Sequence, residues 1–221
     1  MRGKFILITK HDDVIQSDYL ISQYPISKKE FSDIVGTNRV DADSGPFVQR
    51  STWMDAIRFC NRLSEIKGLP LPYDENTGLL IDASGKPAHD ISEVKGVRLP
   101  TSEEWEYAAK GWNEKKTGAY FRIMETRYKL WEEDKEVYTH GISELEKLET
   151  NTIGLYGMLG NAHEWYSDCK TASGVKNKLC YWDDYIANYD NAISYQVKTS
   201  LCQDADVYGF RIVLGLLAAA R

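Results

Sequence analysis

Helix starts constrain this chain more than anything else in it. Ser27 is followed three residues later by Glu30, and Thr101 by Glu104. In each pair the hydroxyl accepts from the backbone N–H three residues on, and the carboxylate reaches back to the cap's own N–H. Helical spacing follows both: Phe31, Ile34 and Val35 after the first, Trp105, Tyr107, Ala108 and Ala109 after the second. Between them, residues 54–67 repeat Ala56, Ile57, Phe59, Cys60 and Leu63 at intervals of three and four, one buried face. Gly36 and Gly68 close the first two helices.

The rest of the chain is short pieces. Residues 4–9 read as a buried strand, and residues 19–26 as a second apolar segment. Residues 69–89 hold Pro70, Pro72, Pro87, Gly78 and Gly85 with turn signals, and a small hairpin fits around 79–81. Residues 41–45 are a polar loop. From Ile153 onward Gly, aromatics and short apolar runs alternate, as in irregular strands and ordered loops. There is no internal repeat and no low-complexity linker, so one domain over residues 1–221 is expected.

Composition excludes several classes of function. Hydrophobic residues make up 43% of 221, enough for a core without metal or disulfide staples. Lys and Arg number 27 against 33 Asp and Glu, a net charge of -6. That balance disfavours nonspecific binding to nucleic acid or to anionic membrane, and neither is expected as a partner. No apolar run approaches the roughly 20 residues of a spanning helix, and residues 5–8 are too short for a signal-peptide core. Virion, cytoplasm and unconventional export fit equally well, so no compartment is assigned; nor is an oligomeric state. Residues 113–150 are highly charged, with acidic patches at 132–136 and 144–149, and read as solvated surface.

Cys60, Cys169, Cys180 and Cys202 form no C-x-x-C pair and no tight zinc spacing. Cys60 lies on the apolar face of its helix and reads as a small buried residue. The pairing of the other three stays open.

Five strings now resemble, in order, the formylglycine-generating-enzyme (sulfatase-modifying factor) family. They are Tyr24-Pro-Ile-Ser-Lys-Lys-Glu-Phe31; Ser51-Thr-Trp-Met-Asp-Ala56 with Phe59-Cys-Asn-Arg-Leu-Ser64; Val97-Arg-Leu-Pro-Thr-Ser-Glu-Glu-Trp-Glu-Tyr-Ala-Ala109; Asn151-Thr-Ile-Gly-Leu-Tyr-Gly-Met-Leu-Gly-Asn-Ala-His-Glu-Trp165; and Gly209-Phe-Arg-Ile-Val213. The resemblance covers residues 20–214. It implies an α+β, C-type-lectin-like fold with two main helices, short strands and much ordered loop. Beside it, the residues themselves suggest that Arg98, Glu104, Glu164 and Arg211 form buried ion pairs fixing loops to the core. Gly154, Gly157 and Gly160 suit positive φ or close packing.

Three departures from the family pattern matter. The family's oxidases bind copper through two nearby C-terminal cysteines, a soft donor pair suited to Cu(I). Here Trp182 stands about where that segment begins, no cysteine follows it closely, and Cys180 and Cys202 flank the segment. The family's calcium site matches at Gly160, Asn161 and Glu164, but Gly157 stands where an oxygen ligand belongs. Calcium takes six to eight oxygens, so none is expected. His163 replaces the usual Trp and Cys169 a common aromatic; His163 reads as a hydrogen-bonded core residue, with no partner spacing that suggests a nucleophile. No catalytic residue, metal or cofactor is assigned.

What remains resembles the variable proteins of diversity-generating retroelements, in which this C-terminal segment is mutated at adenines and displayed as a ligand-binding face. The resemblance makes 181–209 the variable segment, with Trp182, Gln196 and Lys198 fixed. Tyr, Ser and Asn suit such a face, as in antibody paratopes. Tyr181, Trp182, Tyr185, Tyr189 and Tyr195 are the expected aromatic anchors. Asp183, Asp184, Asn188, Asp190, Asn191 and Ser194 are the expected polar contacts, and the expected partner is a protein on another cell or particle. The alternatives are a copper-dependent oxidase of peptide cysteine and a structural scaffold.

Overall fold

A computed structural model describes residues 5–10, 15–36, 47–48, 51–111, 150–158, 163–167, 170–171, 174–175 and 208–216. Its strands are β1 (Phe5–Ile8), β2 (Tyr19–Ser22), β3 (Val97–Arg98), β4 (His163–Glu164), β5 (Lys170–Thr171), β6 (Gly174–Val175), β7 (Tyr208–Gly209) and β8 (Val213–Gly215). Its helices are α1 (Lys28–Val35), α2 (Trp53–Ile66) and α3 (Ser102–Lys110), with one 3-10 turn at Ile91–Glu93.

All three helices begin on reciprocal caps. Ser27 with Glu30 and Thr101 with Glu104 behave as the sequence predicts. The start of α2 is a third capping box, Thr52 with Asp55, one residue earlier than the periodicity suggests. The shorter Asp side chain reaches because Thr52 backbone N–H and hydroxyl both lie within 3.0 Å of it. Gly36 and Gly111 end α1 and α3 in the left-handed conformation, which costs a glycine little.

The main sheet has the order β1-β2-β8-β3, antiparallel throughout, so the last strand is slotted between the second and the third. One face points into the core: Ile8, Tyr19, Ile21 and Val213 are fully covered there. The helices complete that core with an aromatic cluster, Phe59 stacking on Phe31 and meeting Phe210 edge-on at 5.3 Å. Each large side chain so buried contributes roughly 1.5–3 kcal/mol. Trp105 and Trp165 are both buried in the same cluster.

The two edges of this sheet differ. At β3, Val97 N–H donates to Ser64 Oγ of α2 at 2.8 Å. Neighbouring Gly96 lies so close to Pro70 O, Pro72 and Ser64 Oγ that no side chain fits there. β1 has no such cover among the described residues. Leu7 is 47% exposed, so the strand expected to be buried is a half-covered edge. The expected hairpin around 79–81 is reduced to two single bridges, Tyr73 with Leu80 and Ile81 with Pro87. Among the described residues no helix is long and apolar enough to cross a membrane.

Candidate functional site

In the last third of the chain, β4 and β7 lie next to each other although 43 residues separate them in sequence. These two strands pair in parallel, His163 with Tyr208 and Glu164 with Gly209. The two strands form a stem that brings residues 164 and 209 side by side, and buried polar contacts surround it.

Its centre is Glu164. One carboxylate oxygen accepts from Arg211 Nε at 2.7 Å and from Trp105 Nε1 at 2.6 Å; the other accepts from Arg211 Nη2 at 2.9 Å. The pair is essentially fully buried. Arg211 uses its remaining donors on Ser22 O at 3.2 Å and Tyr156 O at 2.9 Å. One guanidinium thus ties β2, the 150s loop and β4 together. A fork of five fixed donors suits that task where a lysine does not.

Neighbouring residues extend the clamp. Trp165 N–H donates to Gly209 O at 3.1 Å, and its indole N–H to Ser51 O at 2.9 Å. Trp53 Nε1 donates to Tyr166 O at 3.1 Å. Ser167 N–H and hydroxyl both donate to Pro100 O, at 2.8 and 3.2 Å. The N-terminus of α2 and the turn before α3 therefore hold the start of the excursion from two sides.

A second buried pair lies next door. Arg98 binds Glu104 through two parallel contacts of 2.6 and 2.7 Å. The burial of Arg98 opposes its charge, and Glu104 outweighs that, holding the guanidinium above its ordinary value. Tyr19, whose hydroxyl donates to Glu104 O at 2.5 Å, is pushed far above its ordinary value by burial, then by Glu104. Burial likewise pushes the Cys60 thiol up, partly offset by Arg98. Cys60 is thus the inert buried residue the sequence suggests. The two pairs touch through adjacent residues, since Trp105 follows Glu104 and donates to Glu164.

This geometry decides the role of Glu164. Both its oxygens are occupied, and a guanidinium stands where a cation would have to sit. Calcium ligation at this carboxylate does not fit the arrangement. The four expected charged residues do form two buried ion pairs. Gly154 and Gly157 adopt positive φ, 87° and 62°.

Every residue expected to contact a ligand (Tyr181, Trp182, Asp183, Asp184, Tyr185, Asn188, Tyr189, Asp190, Asn191, Ser194 and Tyr195) lies outside the described residues, as do Cys169, Cys180 and Cys202. His163 is placed by its backbone in β4. The sequence reading missed Asn151. Its amide donates to Ala108 O and Ala109 O at 2.8 and 3.2 Å and accepts from Ile153 and Leu155 N–H, closing the end of α3. The available signal was an Asn three residues before a turn glycine.

Fold and stem define a class: an α+β domain whose strands are short among the described residues and whose β4–β7 stem is held by a buried charged clamp. The chain belongs to the sulfatase-modifying factor family, the pattern of the Sulfatase-modifying factor enzyme 1-like domain matching residues 6–215. It adopts the C-type-lectin-like fold that the family resemblance implies. It is 29% identical over 181 residues to the chaperone protein LppX of Paenibacillus barcinonensis, covering 69% of this chain and 63% of that one. It is 27% identical over 114 residues to inactive C-alpha-formylglycine-generating enzyme 2 of Mus musculus, covering 48% and 37%. The chain spans less than two thirds of the length of these curated relatives. Among solved structures, Treponema denticola variable protein 1 superposes with a TM-score of 0.60 at 22% identity, over 98% of this chain and 94% of that one.

Proposed function

We propose that this chain is a non-catalytic, single-domain ligand-binding protein whose residues 181–195 carry the contact face, diversified as in retroelement variable proteins. The face takes a protein ligand displayed on another cell or particle. The observation that carries this reading is the stem. The Glu164–Arg211 clamp and its Trp105, Trp165 and Ser167 contacts hold both ends of residues 165–207 with groups outside 181–195. Side chains in that stretch are then free to change without loss of the stem. The likeness of the fold to a protein named as a variable protein supports the reading. So does similarity to a relative named as inactive.

The first test is genetic. The locus is sequenced in many isolates, with its neighbourhood. A near-copy of the segment encoding residues 182–209, differing only at adenines and lying beside a reverse transcriptase, is expected. An invariant segment with no near-copy overturns the reading. The second test replaces Tyr185 and Tyr189 together by alanine and screens a panel of purified surface proteins and glycans against both forms. Binding is expected to vanish with the melting temperature unchanged; a double variant that unfolds makes those tyrosines core and sinks the assignment. Copper-dependent oxidation of a peptide cysteine by the purified chain would return it to the oxidases.

A further inference from the structure

Two tyrosines of the core use their hydroxyls to fix backbone. Tyr19 donates to Glu104 O at 2.5 Å, and Tyr73 accepts from Leu99 N–H at 3.1 Å. Tyr24 and Tyr156 turn to each other instead. Their rings stack with centroids 4.5 Å apart and planes 16° from parallel, at the near end of the range in which aromatic pairs meet. Both residues are half-buried. Burial, and then the hydrogen bond between the two side chains, hold the Tyr24 phenol above its ordinary pKa. A stack with its hydroxyls together is head-to-head, so the ring carbons ortho to the two oxygens also face one another.

The backbone holds the pair in this arrangement. Pro25 restricts Tyr24 to extended backbone. On either side, Ser22 N–H donates to Ile212 O at 2.8 Å and Ile26 N–H to Phe210 O at 2.9 Å. Tyr156 N–H donates to Gln23 O at 3.0 Å, and Arg211 Nη2 donates to Tyr156 O at 2.9 Å. Gln23 Nε2 donates to Gly154 O at 3.0 Å. Two residues far apart in sequence thus present ring face to ring face from anchored segments.

Stacked phenols have a chemistry that stacked phenylalanines lack. One-electron oxidation of a phenol, with loss of its proton, leaves a phenoxyl radical. Its unpaired density sits on the oxygen and on the ortho and para carbons, in p orbitals perpendicular to the ring. The para carbon carries the rest of the side chain, so coupling falls to the ortho carbons. Rings held face to face aim those orbitals at each other across the stack.

We propose that Tyr24 and Tyr156 form a modification site, at which a one-electron oxidant of the peroxidase type converts the stacked pair into an intrachain dityrosine. Each phenol gives one electron to the oxidant and one proton to solvent. The two radicals join through ortho carbons, and the hydrogen left on each of those carbons passes to its oxygen, which restores both rings. The product lacks two hydrogens and keeps both hydroxyls. A cross-link that closes a long loop restricts chiefly the unfolded chain. This one staples the segment leaving β2 to the loop that Arg211 grips. It is independent of any role for residues 181–195.

The test oxidises the full-length chain, at low protein concentration, with photogenerated tris(bipyridine)ruthenium(III), an outer-sphere one-electron oxidant. The monomer fraction is then mapped by proteolysis and mass spectrometry. A peptide pair joining Tyr24 to Tyr156 and short of two hydrogens is expected as a major cross-link, lost in Tyr156→Phe and lost when the oxidation is run in urea. The linked chain is expected to have a higher urea midpoint than unlinked chain from the same reaction. A parent that loses other tyrosines to oxidation yet yields no such pair overturns the proposal. So does a pair formed equally well in urea, or found only between chains, and an unraised midpoint overturns the staple. Should Tyr156→Phe fail to fold, the comparison with urea decides.

Discussion

Arg98–Glu104 and Arg211–Glu164 are both buried and both bidentate, yet they perform different tasks. The first joins residues six apart, and its carboxylate also accepts from Thr101 N–H at 2.9 Å, so the pair is part of a helix cap. The second joins residues 47 apart and reaches the backbone of β2 and of the 150s loop. One sets where a helix begins; the other sets where a long segment leaves and returns. Similar chemistry therefore serves local geometry in one place and topology in the other, and the comparison can be broken by experiment.

The largest effect is expected at the stem. Arg211→Met strands the Glu164 carboxylate and removes the donors to Ser22 O and Tyr156 O, a loss of about 3–5 kcal/mol for a broken buried pair. Urea denaturation reads it. Arg98→Met is expected to sit at the lower end of that range, about 3 kcal/mol, because Glu104 keeps its contact to Thr101 N–H. If the two variants prove equally destabilised, the distinction between local and topological pairs fails.

Alkali should separate the pairs differently. Cys60 and Tyr19, both within reach of Arg98's charge, have pKa values raised above the ordinary 9.0 and 10.0. The unfolded chain then releases protons that the folded chain retains. Stability is fully present below pH 9 and falls as pH climbs past 9.0 for Cys60 and past 10.0 for Tyr19, on the order of 1 kcal/mol per pH unit for each group. Urea melts at rising pH should show this slope, flattened in Cys60→Ala and in Tyr19→Phe. A slope unchanged in both variants would assign the alkaline sensitivity elsewhere. The smallest expected effect is the cap: Thr101→Ala costs about 1 kcal/mol. In a double-mutant cycle it should couple to Glu104→Gln, whereas Thr52→Ala should not.

The sequence made one pair more legible than the other for a physical reason. Thr101 with Glu104 announces itself because a cap is a local event, and Arg98 lies a few residues upstream. Glu164 and Arg211 could be suspected as buried charges, but nothing in their spacing says that they meet, or that Trp105 joins them. The cap at Thr52 was hidden because Asp55 replaces the longer carboxylate that usually marks the motif. Likewise, an apolar tetrapeptide such as Phe5–Ile8 reads the same whether its sheet continues past it or stops. The tyrosine-rich stretch at 181–195 lies outside the described residues, so the structure neither adds to nor subtracts from what its composition suggests.

Asn151 carries a consequence for how such chains diversify. Its side chain bonds Ala108 O and Ala109 O, so the point where the backbone departs from α3 and the point where it returns are stitched together. Whatever is spliced between residues 111 and 150 inherits ends that are already closed. Loop-closure cost grows slowly, by about 0.6 kcal/mol for each doubling of length. The position is a socket: a tag, a reporter or an entire second domain inserted there should leave the clamp at Glu164 undisturbed.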